Sequence, residues 1–76
     1  MDLLLELRGR LVPIEIKLGT AIPDVHSLQT CMSDLGLKRG YVVTMTPKPM
    51  EIAAGIHMLN LRALLEELGL RPRPAA

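Results

Sequence analysis

Apolar and polar residues alternate from Leu11 to Leu18, in a pattern typical of a β-strand. Side chains two residues apart share a face of a strand, so the pattern directs four apolar residues into a core: Val12, Ile14, Ile16 and Leu18. Glu15 and Lys17 are predicted to point together to the opposite face. A carboxylate and an ammonium group would then stand side by side on one strand.

The segment before this strand, from Asp2 to Arg8, also predicts a strand, with its odd-numbered leucines on one face. Gly9 follows it, so we expect a β-hairpin with Gly9-Arg10 as a two-residue loop and glycine at the first loop position. This loop sets Asp2 opposite Lys17, on the face that also carries Glu15. The register matters because a one-residue change in loop length would send Asp2 to the other side of the sheet.

A helix is predicted between Pro23 and Gly36, because apolar residues recur there at steps of three and four: Val25, Leu28, Met32 and Leu35. Proline suits the first turn of a helix, and glycine suits the position just after its end. Asp24 is expected in the first turn, where a negative charge interacts favourably with the helix dipole.

The run from Tyr41 to Met45 is rich in β-branched residues and almost continuously apolar, which predicts a buried central strand. A strand, helix, strand order implies a right-handed crossover, so this strand is expected to lie parallel to Leu11–Leu18. The two prolines in 46–50 predict a loop. Residues 51–55 are ambiguous between a short extended piece and a turn.

The remaining segments predict a short fourth strand at Ile56–Leu59 and a closing helix with Asn60 as its N-cap. We therefore predict a small α/β domain over residues 1–70, with a mixed sheet of three to four strands. It consists of a β-hairpin, a crossover helix, a parallel strand and a closing helix. Residues 71–76, with two prolines, predict a disordered tail.

Composition limits what such a domain can do. A chain of 76 residues buries roughly 60% of the surface that its unfolded form exposes, so we expect a homodimer. The core must be aliphatic, since Phe and Trp are absent and Tyr41 is the single tyrosine, which nearly excludes stacking on nucleic-acid bases. A net charge of +1 gives no global electrostatic case for nucleic acid or an acidic membrane.

The single cysteine, Cys31, excludes an intrachain disulfide, and no residue spacing predicts a zinc site. The apolar start of the chain is interrupted by charges and is too short for a signal peptide or a membrane span. We therefore expect a cytoplasmic protein without a membrane partner.

Asp2 and the segment Pro13-Ile14-Glu15-Ile16-Lys17 resemble the core motif of the PD-(D/E)xK nuclease superfamily, which has the restriction-endonuclease-like fold. The similarity is closer to the uncharacterised carboxy-terminal domain of prokaryotic AAA-type ATPases. It extends through Lys38-Arg39-Gly40-Tyr41-Val42-Val43 and Asn60-Leu61-Arg62-Ala63-Leu64-Leu65, up to about residue 68. The resemblance implies DNA as a substrate and an AAA-type ATPase domain as a partner in longer relatives.

What the resemblance implies chemically is a metal-dependent phosphodiesterase site. Asp2 and Glu15 would coordinate Mg²⁺, and the backbone carbonyl of Ile16 would add a ligand. Lys17 would position the attacking water and stabilise charge on the phosphate. Magnesium prefers oxygen ligands, keeps several waters and lowers the pKa of a bound water.

The sequence departs from the superfamily in one respect. Members generally place a helix before the aspartate strand, often with an acidic residue that completes the site, whereas this sequence begins one residue before Asp2. We therefore expect an N-terminally truncated core with one side of its sheet covered by a second subunit.

Two functions from different classes follow. The first is a truncated nuclease-like domain that binds Mg²⁺ and cleaves or binds DNA through Asp2, Glu15 and Lys17. The second is a non-catalytic dimerisation or protein-interaction module, in which those three residues form a surface ion-pair group of little energetic weight. Both histidines, His26 and His57, are expected to be structural. Basic residues near the third strand, namely Lys38, Arg39 and Lys48, are interpreted either as phosphate contacts or as a solvated basic turn.

Overall fold

The computed structural model describes residues 2–19 and 24–70. Its elements in chain order are β1 (Leu3–Leu7), β2 (Arg10–Ile16), α1 (His26–Leu35), β3 (Gly40–Val43), β4 (Met50–Ala53), β5 (Ile56–Leu59) and α2 (Leu61–Glu67). The strands form one five-stranded sheet in the order β1-β2-β3-β5-β4. The α/β class is confirmed. The prediction of three to four strands is wrong, because residues 50–53, which overlap the ambiguous segment 51–55, form a strand that pairs with β5.

The three central strands run in the same direction. β2 pairs in parallel with β3, as the crossover through α1 predicts, and β3 pairs in parallel with β5. β1 and β4 lie at the two edges and pair antiparallel with their neighbours. The carboxyl ends of β2, β3 and β5 therefore meet at one end of the sheet.

The sheet has a core on each face, since neighbouring residues of a strand point to opposite sides. Tyr41 packs with Leu64 of α2 on one face, which we call the α2 face. Val42 packs with Leu28 and Met32 of α1 on the other, the α1 face. The two helices therefore cover opposite faces of the sheet.

β2 divides its side chains between these two cores. Val12 and Ile14 join the core of the α2 face, as predicted, but Pro13 and Glu15 are buried as well. The prediction that Glu15 points away from a core was wrong. Alternating apolar and polar residues are typical of a sheet with one solvated face, but here α1 covers the face that was assumed to be solvated. The same prediction placed two residues near the end of β2 in a core, and the structure leaves both exposed: Ile16 at 45% and Leu18 at 76%.

β1 and β2 form the predicted antiparallel hairpin, but the loop is Arg8-Gly9 and not Gly9-Arg10. Both loop residues have positive φ, 53° at Arg8 and 79° at Gly9. Positive φ at both positions defines the type I′ turn, which is favoured in two-residue hairpins because its twist matches that of the strands. Glycine therefore occupies the second loop position, and the predicted type with glycine first does not form.

This change of loop shifts the predicted register by two residues. Leu3 lies opposite Ile14, so the next residue along, Asp2, comes opposite Glu15 and not opposite Lys17. A shift by two keeps every side chain on its predicted face. The carboxylate of Asp2 is consequently closer to Glu15 along the strand than the sequence indicated.

The structure places Asp24 before α1, so the prediction that it lies in the first turn is wrong, whereas the predicted end of the helix agrees. The helix begins at His26, and the predicted start at Pro23 lies outside the described residues. Asp24 precedes the helix, where its Oδ1 accepts the N–H of His26 at 2.9 Å and so satisfies a donor near the helix start. The end at Gly36 is confirmed, with this glycine in the left-handed conformation.

Asn60 is the N-cap of α2, as predicted. Its Oδ1 accepts the N–H of Ala63 at 2.9 Å, and its Nδ2 donates to the carbonyl of Thr46 at 3.1 Å. One side chain thus starts the helix and ties it to the loop after β3. Neither helix in the described ranges is long and apolar enough to cross a membrane. The predicted tail at 71–76 lies outside the described residues.

Replacing Asn60 with alanine is expected to lower the free energy of unfolding by about 1 to 2 kcal/mol, because it removes the cap and the bond to Thr46. Asn60→Asp keeps the acceptor for the Ala63 N–H and should lose less. Urea denaturation followed by circular dichroism measures both. An alanine variant as stable as the wild type would contradict the capping role.

Gly55 lies between β4 and β5 with a φ of 75°, and its carbonyl accepts the N–H of Gly40 at 2.9 Å. A Cβ atom added at Gly55 would overlap the carbonyl oxygen of Lys38. Gly55→Ala is expected to lower the free energy of unfolding by about 3 kcal/mol, through this overlap and left-handed backbone strain. Gly9→Ala is the matched control, since Gly9 has a similar φ with no atom within 4 Å.

The control should lose only the strain energy, about 1 to 2 kcal/mol. Thermal unfolding of both variants measures the difference, and equal losses would show that the contact between Gly55 and Lys38 has no energetic role.

Candidate functional site

The three predicted site residues, Asp2, Glu15 and Lys17, meet at the carboxyl end of β2. Asp2 directly precedes β1, and its Oδ2 accepts the backbone N–H of Ile16 at 2.7 Å. Ile16 lies between Glu15 and Lys17 in the sequence. The structure therefore brings the carboxylate of Asp2 beside the strand segment that carries both other residues.

This hydrogen bond takes the place of a backbone hydrogen bond between β1 and β2. The N–H of Lys17 bonds to the carbonyl of Val43 in β3 at 2.8 Å, so the preceding N–H, of Ile16, points to the other side, toward β1. The last described pair of β1 and β2 is Leu3 with Ile14, so the side chain of Asp2 supplies the acceptor that a longer β1 would supply from its backbone. The carbonyl of Ile16 points to this same side of β2.

Glu15 is buried, with 6% of its surface exposed, on the α1 face beside Val42. The prediction that its side chain points away from the core is therefore wrong. Burying a charge is unfavourable unless it is paired and hydrogen-bonded. No buried side-chain nitrogen or oxygen in the described part of the chain lacks a hydrogen-bond partner, and Glu15 is among the residues that interact with another part of the protein.

Lys17 differs from Glu15 in its surroundings. It follows the end of β2 and is exposed, while its backbone N–H stays bonded to β3. A lysine ammonium on a flexible stem is a mobile point charge. The site thus combines a fixed, buried carboxylate with an exposed cation two residues further along the same strand.

The oxygen donors at this position are the carboxylates of Asp2 and Glu15 and the carbonyl of Ile16. Within residues 2–19 and 24–70, no group of three or more His, Cys, Asp or Glu side chains is arranged to hold a metal ion. Magnesium is commonly bound by one or two carboxylates, with waters and substrate phosphates completing its shell. The residue types fit Mg²⁺ in that form.

A second polar surface, which the sequence did not predict, lies on the α2 face. Arg39, Tyr41, His57 and Glu67 help to line a cavity of about 460 Å³. Nη1 of Arg39 donates to Oε1 of Glu67 at 2.8 Å, and the rings of Tyr41 and His57 are 6.2 Å apart. The hydrogen bond with Tyr41 is the main cause that raises the pKa of Arg39, and Glu67 contributes further.

The signal for this surface is weak in the sequence. Tyr41 and His57 become neighbours because β5 pairs with β3. These two strands are adjacent in the sheet, although β4 lies between them in the sequence. Tyr41 faces the α2 core and Glu15 the α1 face, so the two polar surfaces lie on opposite sides of the sheet. The cavity therefore adds no residue to the carboxylate site.

Two of the predicted phosphate contacts, Lys38 and Arg39, immediately precede β3 and so lie at the amino end of the parallel strands. With Arg10 of β2 they help to line a cavity of about 490 Å³. The carboxylates lie at the other end of β2, and the strand from Arg10 to Glu15 spans about 16 Å. The basic residues and the carboxylates are therefore at opposite ends of the sheet.

Apolar side chains surround the carboxylate end of the sheet on the α2 side. Ile16, Leu18, Met45 and Leu61 are exposed and help to line a groove of about 690 Å³. The carboxyl ends of parallel strands are where ligands commonly bind in open α/β sheets. This end thus presents an apolar groove next to the carboxylate site.

Comparison of the chain with protein-family models gives no match, and comparisons with curated proteins and with solved structures give none either. A function for this chain therefore has to be argued from its residues and their geometry.

Proposed function

We propose that this chain is a nuclease-like domain, with a restriction-endonuclease-like core, that binds Mg²⁺ and acts on the phosphodiester backbone of DNA. The observation that carries the proposal is the hydrogen bond from the Ile16 N–H to the Asp2 carboxylate, since it groups Asp2 with Glu15 and Lys17. The antiparallel hairpin followed by a parallel crossover strand supports the proposed core.

Each residue has a separate role in this proposal. Asp2 and Glu15 hold the ion, and the carbonyl of Ile16 completes the protein's share of the coordination shell. A bound ion would supply a water of lowered pKa and a positive charge next to the phosphate oxygens. Lys17 positions the attacking water and stabilises the negative charge that develops on the phosphate.

The burial of Glu15 supports this assignment. Charge interactions are stronger where water is excluded, so a buried carboxylate attracts a cation more strongly than an exposed one does. The position of Glu15 between β1 and β3 also restricts its side chain, and a catalytic group needs a fixed orientation. The exposure of Lys17 suits a residue that meets a large substrate arriving from solvent.

Metal binding is the first test. Titration of the wild type with Mn²⁺ is expected to broaden the NMR signals of residues around Ile16 before those of the rest of the chain. Asp2→Asn and Glu15→Gln should each weaken binding by at least about tenfold, since each removes a charged ligand. Glu6→Gln is the matched control, an exposed carboxylate in the same hairpin, and should change nothing. Broadening that is equal in all four proteins would contradict the site.

Cleavage of supercoiled plasmid in the presence of Mg²⁺ is the second test. Lys17→Ala is expected to lower the nicking rate by about 100-fold, because the charge on the phosphate loses its stabilising partner. Lys38→Ala, an exposed lysine that the structure places at the opposite end of the sheet from the carboxylates, is the matched control and should retain the rate. Nicking that continues at the same rate in Lys17→Ala and Glu15→Gln would come from a contaminant and would contradict the enzyme.

A second candidate is a non-catalytic dimerisation or protein-interaction module. It is favoured by the exposed apolar residues at the carboxyl end of the sheet, Leu18 and Met45 among them. Large contiguous apolar patches on a monomer commonly mark interaction sites. An absence of metal binding and of nicking in the tests above would leave this candidate in place of the nuclease.

A further inference from the structure

β1 lies at one edge of the described sheet, with β2 on its inner side. Its odd-numbered residues pair with β2 through hydrogen bonds, because the pair that flanks a two-residue loop, here Leu7 with Arg10, is a hydrogen-bonded pair. The N–H and C=O groups of Leu4 and Glu6 consequently point outward. Such a row of outward backbone groups is a template for another strand.

The two edges of the sheet differ in how they are protected. β4 is preceded by Pro49 and has a register shift between Glu51 and Ala53, and both features hinder pairing with a further strand. β1 has a regular register, no proline and no lysine, and Glu6 is its single charged residue. Leu3 and Leu4, on opposite faces of β1, are 42% and 39% exposed. An apolar, regular edge opposite a protected one indicates that a strand covers β1.

We propose that this strand is β1 of a second copy of the chain. The two strands pair antiparallel around a two-fold axis at Leu5 and join the two five-stranded sheets into one. The inference does not depend on whether the carboxylate site is catalytic.

The charges at and beside β1 select this register. With Leu5 opposite Leu5 of the second copy, Asp2 comes opposite Arg8 of the second copy, and Leu4 comes opposite Glu6 of the second copy. A shift by two residues in one direction sets Glu6 opposite Glu6, and in the other it sets Asp2 opposite Glu6. Like charges directly opposite one another are destabilising, so only the first register keeps them apart while it sets Leu5 against its counterpart.

The same register satisfies the outward backbone groups. Leu4 and Glu6 form hydrogen-bonded pairs with their counterparts, whereas Leu5 and Leu5 of the second copy form a non-hydrogen-bonded pair, with Cα atoms about 4.5 Å apart. Leu5 and Leu7 already pack against the core of the α2 face, so the pairing continues that core across the axis. Because each copy uses β1 alone and β4 is protected, assembly stops at two copies.

Cysteine cross-linking in a Cys31→Ser background tests the register on the full chain. Leu5→Cys places two thiols across the axis at a Cα distance suited to a disulfide, so oxidation is expected to give a covalent dimer. Leu3→Cys is the matched control, since in this register its two copies lie about 13 Å apart along the strands and should not cross-link. Equal cross-linking of both variants, or of neither, would overturn the proposal.

Sedimentation velocity tests the edge itself. Leu4→Pro removes an outward N–H and leaves the bonds between β1 and β2 in place, because proline is accepted on an edge strand where its nitrogen faces solvent. The wild type and Leu4→Val are expected to sediment as dimers at micromolar concentration, and Leu4→Pro as a folded monomer by circular dichroism. A monomeric wild type would overturn the proposal and direct attention to a strand from a different protein.

A dimer that persists in Leu4→Pro would also overturn it, since association would then use another surface, such as the apolar groove. If Leu4→Pro fails to fold, the pair of cysteine variants decides the question alone.

Discussion

The hydrogen bond between the N–H of Ile16 and the carboxylate of Asp2 determines what the carboxyl end of β2 presents. It occupies the position of a sheet bond, so it marks where β1 stops and holds a charged side chain at the point where the backbone pairing ends. Hydrogen bonds to an ionised acceptor are stronger than those between neutral groups. Asp2, whose backbone N–H also bonds to the carbonyl of Ile14 at 3.3 Å, is thereby fixed beside Glu15 and Lys17.

The second constraint is the covering of both faces of the sheet by helices. A strand between two helical layers has no solvated side, and this is why Pro13 and Glu15 are buried along with Val12 and Ile14. Toward its carboxyl end the same strand becomes exposed on both sides, as Ile16 on one face and Lys17 on the other show. A few residues of one segment therefore pass from a fully packed interior to an open end, and the carboxylate site lies at that boundary.

Signals that act within a few residues predicted much of this fold. The apolar periodicity of α1, the end of that helix at Gly36 and the cap at Asn60 are confirmed, as are the hairpin and the parallel crossover. The loop of the hairpin was wrong for a physical reason. Both registers place the same leucines inward, so apolar patterning does not distinguish them, and the choice depends on the backbone preference for positive φ at Arg8 and Gly9.

The features that sequence reasoning missed depend on contacts between distant segments. β4 forms because β5 is available to pair with it, and the neighbourhood of Tyr41 and His57 depends on strand order. The burial of Glu15 depends on where α1 packs.

The grouping of three basic residues at one end of the sheet also depends on how distant strands pair, and sequence reasoning missed it. The net charge of +1 for the whole chain therefore does not describe the charge at that end. The basic end with Arg10, Lys38 and Arg39 lies about 16 Å from Glu15, which is about twice the Debye length of roughly 8 Å at physiological ionic strength. A polyanion near one end is largely screened from the other, so it responds to the local potential of that end and not to the nearly neutral total.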